Sequence, residues 1–105
     1  MQLSGKKLGV LLSTSPDNPK FRHGLRLAEA AMKRGLLVYL YCIDEAVHGV
    51  GDPELQAMKS DGLKLFACAY AARERNLPIS DLAAFSGLTV VSELISSTDR
   101  FVSFN

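Results

Sequence analysis

Residues 8–42 read LGVLLSTSPDNPKFRHGLRLAEAAMKRGLLVYLYC, and this stretch decides the fold. It opens on Leu8-Gly9-Val10-Leu11-Leu12, an unbroken apolar run of the kind that marks a strand buried on both faces. Ser13 to Asn18 is a loop by composition. A helix is predicted from Pro19 to about Arg34. Asn18 can cap it, Pro19 suits its first turn, and Phe21, Leu25, Ala28 and Met32 recur on one face. Lys33 and Arg34 suit the negative end of the helix dipole, and Gly35 can end the helix. Leu36 to Cys42, rich in Leu, Val and Tyr, reads as a second buried strand. Strand, helix and strand in succession make a βαβ unit, the building block of a parallel sheet.

The alternation continues downstream. Asp44 to Gly51 is a loop with a helical turn, and Asp52-Pro53-Glu54 supplies a cap, a first-turn proline and an acidic first turn. Leu55 and Met58 give the short helix that follows its inner side, and Gly62 closes it. Leu63 to Ala67 is a third strand, and Ala69 to Asn76 a helix stopped near Pro78. Ser80 to Phe85 reads as a short turn of helix before Gly87. Leu88, Val91, Leu94 and Ile95 then make one apolar face of a last helix, and Arg100 to Phe104 is a final strand. Right-handed crossovers place helices on both faces. The expected fold is therefore a three-layer α/β/α sandwich around a mainly parallel sheet of four or five strands. At 105 residues the chain suits one domain, residues 1–105, and is too short for two.

Composition narrows the class. A hydrophobic fraction of 48% and a charged fraction of 22% belong to a globular protein and exclude disorder. A net charge of +1 provides no electrostatic footprint for nucleic acid or an anionic membrane. No apolar run is long enough to cross a bilayer. Met1 to Lys7 is polar and lacks the apolar stretch of a signal peptide, so the expected compartment is the cytoplasm. Two cysteines, Cys42 and Cys68, are too few for a disulfide scaffold and are read as reduced thiols. With His23 and His48 they fit no zinc spacing, so no metal site is expected.

In an open α/β sheet, ligands bind beyond the carboxyl ends of the strands. Three loops leave those ends: Ser13 to Asn18, Ile43 to Gly51, and the junction at Cys68. The last is the tightest, because Cys68 directly follows Leu63-Lys64-Leu65-Phe66-Ala67 and directly precedes Ala69-Tyr70-Ala71-Ala72. A thiol there faces the free amides of a helix start, which stabilise a thiolate, the nucleophilic form. The small flanking alanines are expected to shield it little. Two readings stand side by side: Cys68 as nucleophile, and Cys68 as a small buried hydrophobe, which most free cysteines are. Cys42 also ends a strand, without a strong helix start after it, and is read as structural. The loop Ser13 to Asn18 has no glycine and carries Asp17, so it is a capped loop and not a phosphate cradle. His48 lies in a loop near the same edge, from which it could contact Cys68 or stay solvated. His23 is a surface residue, and Arg73-Glu74-Arg75 a solvated helix face. A third reading pairs Cys42 with Cys68 in a redox sensor.

Three segments resemble the DsrE/DsrF-like family, which includes the TusD-type sulfur relay subunits. Leu8 to Thr14, with Leu25 to Ala31 and Arg34-Gly35, is similar to the family's first strand and alanine-rich first helix. Cys68 to Leu77 resembles the cysteine-plus-alanine-rich helix of the relay subunits. Gly87-Leu88, Glu93-Leu94 and Asp99 to Phe104 resemble the closing helix and the aspartate-arginine strand. There are departures. Asp44-Glu45-Ala46-Val47 stands where the family often has aspartate-glycine-valine, and Asn76 stands where glycine is common. The resemblance implies a sulfur carrier or sulfurtransferase with Cys68 as its persulfide site. It implies a protein sulfur donor and acceptor, no cofactor, and a homo-oligomer, a trimer or hexamer. The alternative is a non-enzymatic homo-oligomeric binding module in which the cysteine is unreactive.

Overall fold

A computed structural model describes residues 3–105; Met1 and Gln2, the first residues of the polar lead, lie outside the described residues. Five strands form one sheet: β1 (Lys7–Leu12), β2 (Leu37–Cys42), β3 (Lys64–Cys68), β4 (Ala84–Ser86) and β5 (Arg100–Phe104). Their order is β4-β3-β2-β1-β5, and every neighbouring pair is parallel. The helices are α1 (Pro19–Lys33), α2 (Pro53–Ser60), α3 (Ala69–Glu74) and α4 (Thr89–Ser97), with a 3-10 helix at Asp44–Gly49. The steps from β1 through β4 all run the same way along the sheet, so right-handed crossovers stack α1, α2 and α3 on one face. The connection from β4 to β5 returns across the sheet and leaves α4 on the other.

The pleat sorts the strand residues between these faces. Leu8, Val10 and Leu12 share one side with Val38, Leu40 and Cys42 and with Leu65 and Ala67, and all are buried. Helix α1 covers them with Phe21, Leu25 and Ala28, the inner stripe its spacing predicts, while Met32 is only partly buried. Asn18 caps this helix by accepting from the Lys20 amide at 2.9 Å. The approach is close because Gly24 has no side chain. A Cβ built there would stand 2.3 Å from Leu12 Cδ2 and 3.3 Å from Phe104 Cδ1. Leu12 is itself fully enclosed and has no room to swing away. Gly24→Leu is therefore expected to lower unfolding free energy by about 2–3 kcal/mol through overpacking, read as a lower denaturant midpoint.

Ion pairs tie α1 to α2. Arg22 bonds both Asp52 and Glu54, and Arg26 bonds Glu54. Asp52 also caps α2, accepting from the Glu54 and Leu55 amides. Burial pushes the Asp52 carboxyl up, but the Arg22 bond, the two amide bonds and the Arg22 charge outweigh it and hold the group below the usual carboxylate range. A carboxylate depressed in the folded state stabilises it above the unfolded value, about 4, and loses that contribution as pH falls through the folded value. Asp52→Asn keeps a capping oxygen and removes the charge. Melting temperatures from pH 7 to 2 should show the parent ahead at neutrality and the two proteins converging below about pH 4.

Two elements differ from the sequence reading. Ser80 to Phe85 is not a turn of helix: the chain turns and then enters β4, whose Ala84, Phe85 and Ser86 pair with Phe66, Ala67 and Cys68. So short a strand exists through its pairing with β3, a long-range contact with no local period. In α4, Leu94 is buried and Val91 half-buried, but Leu88 and Ile95, placed on the inner face by spacing, are each 56% exposed. The helix is amphipathic, yet one small sheet face does not cover its whole apolar side. The other assignments hold within a residue or two. Gly35 and Asn76 end α1 and α3 with φ of 83° and 56°. Asn76 thus adopts the left-handed backbone that asparagine tolerates in place of glycine.

Candidate functional site

The carboxyl ends of all five strands meet one edge, and Cys68 is the last residue of β3 on it. Cys68 keeps extended backbone (φ −74°, ψ 115°) and is also the N-cap of α3. Its Sγ accepts a hydrogen bond from the Ala71 amide at 3.4 Å. The N–H is thus aimed at the sulfur from within the first turn of the helix. With six residues, α3 adds little macrodipole, so this direct amide contact is the working part of the helix start.

The sequence reading left Cys68 lightly shielded; the structure corrects this, for Cys68 is only 4% exposed. The alanines of α3 fold inward, with Ala72 fully buried, and the end of β4 flanks the cysteine. Tyr41 of β2 closes the other side. Its register partner is Phe66, two residues before Cys68, so the phenol and the thiol share a sheet face. The Tyr41 ring stacks on Phe66, with centroids 6.4 Å apart and planes 14° from parallel. Its hydroxyl donates to the carbonyl of Ser86 (3.2 Å) or Gly87 (3.1 Å). Burial pushes the Tyr41 phenol above its ordinary value; the Ser86 side-chain hydroxyl beside it opposes that, and the Cys68 thiol, also within reach of the phenol, adds to it. Ser86 is the direct register partner of Cys68, and its Oγ is buried with no hydrogen-bond partner.

The remaining candidates lie elsewhere. Cys42 pairs with Ala67 and points to the opposite face from Tyr41 and Cys68, fully buried, with its thiol pushed up by burial to about 12. That division of faces removes the geometry for a Cys42–Cys68 bridge. His48 does not turn to Cys68: its Nε2 lies 3.6 Å from Glu45 Oε1. Glu45 in turn is held by Arg75, through Nε at 2.9 Å and Nη2 at 2.7 Å. Arg75 is therefore an anchor between α3 and the 3-10 helix, not part of a solvated charge run. His23 is exposed on α1. Among the described residues, no group of three His, Cys, Asp or Glu side chains could hold a metal ion, and no helix is long and apolar enough to cross a membrane. Tyr41 and Ser86 were missed from sequence. The signal for Tyr41 was available, since a tyrosine inside a buried strand must find a partner for its hydroxyl. Ser86 carried none.

The chain is an all-parallel five-stranded α/β domain of the doubly covered class, with a cysteine closing its third strand and capping the next helix. The chain matches the DsrE/DsrF-like family over residues 6–104, and it belongs to that family. Among solved structures it is similar to the YchN protein from E. coli, with a TM-score of 0.78 at 19% sequence identity. That match covers 95% of this chain and 99% of the other. At that identity the likeness speaks for the fold. No curated protein matches the chain in sequence.

Proposed function

We propose that this protein is a sulfur carrier that holds a persulfide on Cys68 and passes the outer sulfur to a protein partner. The observation that carries the reading is the Ala71 amide bonded to Cys68 Sγ at a strand–helix junction, in a member of the DsrE/DsrF-like family. In uptake, the Cys68 thiolate attacks the outer sulfur of a donor persulfide. A new S–S bond forms to Cys68, the donor's S–S bond breaks, and the donor cysteine leaves as a thiolate; there is no net oxidation. Delivery repeats the step with an acceptor thiolate attacking and Cys68 leaving. No cofactor takes part. The donor and acceptor are proteins, the compartment is the cytoplasm, and the working form is a homo-oligomer, a trimer or hexamer. Tyr70, 66% exposed just after Cys68, and Leu88, 56% exposed just after Ser86 and Gly87, provide apolar surface near the edge for such contacts.

The burial of Cys68 favours a second reading: a non-enzymatic oligomeric binding module whose cysteine is packing. Sulfur uptake separates the two. The protein is incubated with a persulfide donor and its intact mass compared with that of Cys68→Ser. If the variant gains sulfur as readily as the parent, Cys68 is not the site. If neither protein gains it, the module reading replaces the carrier.

A further inference from the structure

We propose that the Ser86 hydroxyl is the donor that holds the outer sulfur of a Cys68 persulfide, a role that rests on the carrier reading. Buried hydroxyls almost always have a hydrogen-bond partner, and an exception calls for an explanation. Ser86 Oγ is such an exception among the described residues. The second, Thr14 Oγ1, lies just past β1, with β2 standing between that strand and β3. Ser86 is instead the direct partner of Cys68 in the parallel ladder, so both side chains leave the sheet on one face.

The spacing suits an added atom. Neighbouring strands lie about 4.8 Å apart. A sulfur added to Cys68 Sγ at the disulfide length of about 2.05 Å spans a large part of that gap. The Ala71 amide is given to Cys68 Sγ, and the Tyr41 hydroxyl, which also lies within reach of the Cys68 thiol, has the carbonyl of Ser86 or Gly87 to donate to. The Tyr41 bonds also fix the backbone that carries Ser86. Ser86 thus brings to the site a buried hydroxyl with no formed hydrogen bond. An ionised outer sulfur would supply an acceptor for it, and hydrogen bonds to charged groups are the stronger kind. Away from water, an anion without such a donor is costly to keep.

The test compares the parent, Ser86→Ala and Ser86→Thr, each loaded with inorganic polysulfide and freed of excess. Intact mass follows loss of the outer sulfur with time, and iodoacetamide trapping follows its ionisation with pH. Ser86→Ala is expected to shed sulfur about tenfold faster, with the trapping midpoint raised by about one pH unit. Ser86→Thr keeps the hydroxyl and should retain the parent's values. Without sulfur, Ser86→Ala should melt no lower than the parent, since the hydroxyl it removes makes no bond. A lower melting temperature overturns the proposal by revealing a structural partner. So does a loaded Ser86→Ala that matches the parent in both decay and trapping; the carrier reading then stands. A parent that takes up no sulfur at Cys68 overturns both.

Discussion

Cys68→Ser is expected to abolish sulfur uptake completely, with the parent gaining one sulfur atom and the variant staying at its unmodified mass. Two features make the comparison clean. The first is the chemistry of the remaining thiol. Cys42 is fully buried, and its thiol is pushed up to about 12. At pH 7 its thiolate fraction is on the order of 10⁻⁵, so it supplies no background nucleophile. The second is that serine keeps the local fold. Cys68 caps α3 by accepting from the Ala71 amide, and a serine hydroxyl is among the best groups for that position. A variant that melts like the parent yet takes up no sulfur has lost chemistry and not structure. Native-state iodoacetamide labelling is the companion measurement. Labelling of the parent at Cys68, with Cys42 spared until unfolding, supports the carrier; a Cys68 that also waits for unfolding supports the module.

The second large effect is an alkaline loss of stability that belongs to Cys42. Its ordinary value of 9.0 rises to about 12 through burial, with no charged partner contributing. The folded state therefore keeps a proton that the unfolded chain releases. Stability from this group is complete below the unfolded value, falls as pH rises past 9, and is gone by about 12. Three units at about 1.4 kcal/mol each come to roughly 4 kcal/mol across the window. Urea unfolding from pH 8 to 11 should show the decline, and Cys42→Ala should flatten it. Alanine leaves a small void, so slopes and not absolute stabilities are compared. Some slope should remain in the variant, because burial also raises the Tyr41 phenol. A parent curve that stays level over this range would show that the folded Cys42 ionises as readily as the unfolded one.

Much of the fold was legible because its central parts are locally encoded. The run from Leu8 to Leu12 marks a strand, Asn18-Pro19 starts a helix, and Asp52-Pro53 starts another, each by short-range chemistry. What escaped depends on distant partners. Strand β4 exists only beside β3, and the exposure of Leu88 and Ile95 depends on how much sheet α4 has to cover. The site divides in the same way. Cys68 could be placed because a strand and a helix meet there in sequence. Its burial, the Tyr41 hydroxyl on the β4 backbone and the orphaned Ser86 oxygen arise from register between strands far apart in the chain. His48 was adjacent to the edge by chain order, but its Nε2 lies beside Glu45 of its own 3-10 helix, the carboxylate that Arg75 holds from α3.

The uniform strand direction also decides where a probe should be attached. β5 ends at Phe104 on the edge that carries Cys68, and Ser13 Oγ bonds Asn105 Oδ1 there at 2.9 Å. With β2 and β1 between them, β3 and β5 are three strand spacings apart, about 14 Å. A fluorophore or affinity handle joined after Asn105 would emerge within reach of anything approaching the cysteine. Attachment ahead of Lys7 would start from the far edge of the sheet, leaving the reactive side clear for docking and immobilisation experiments.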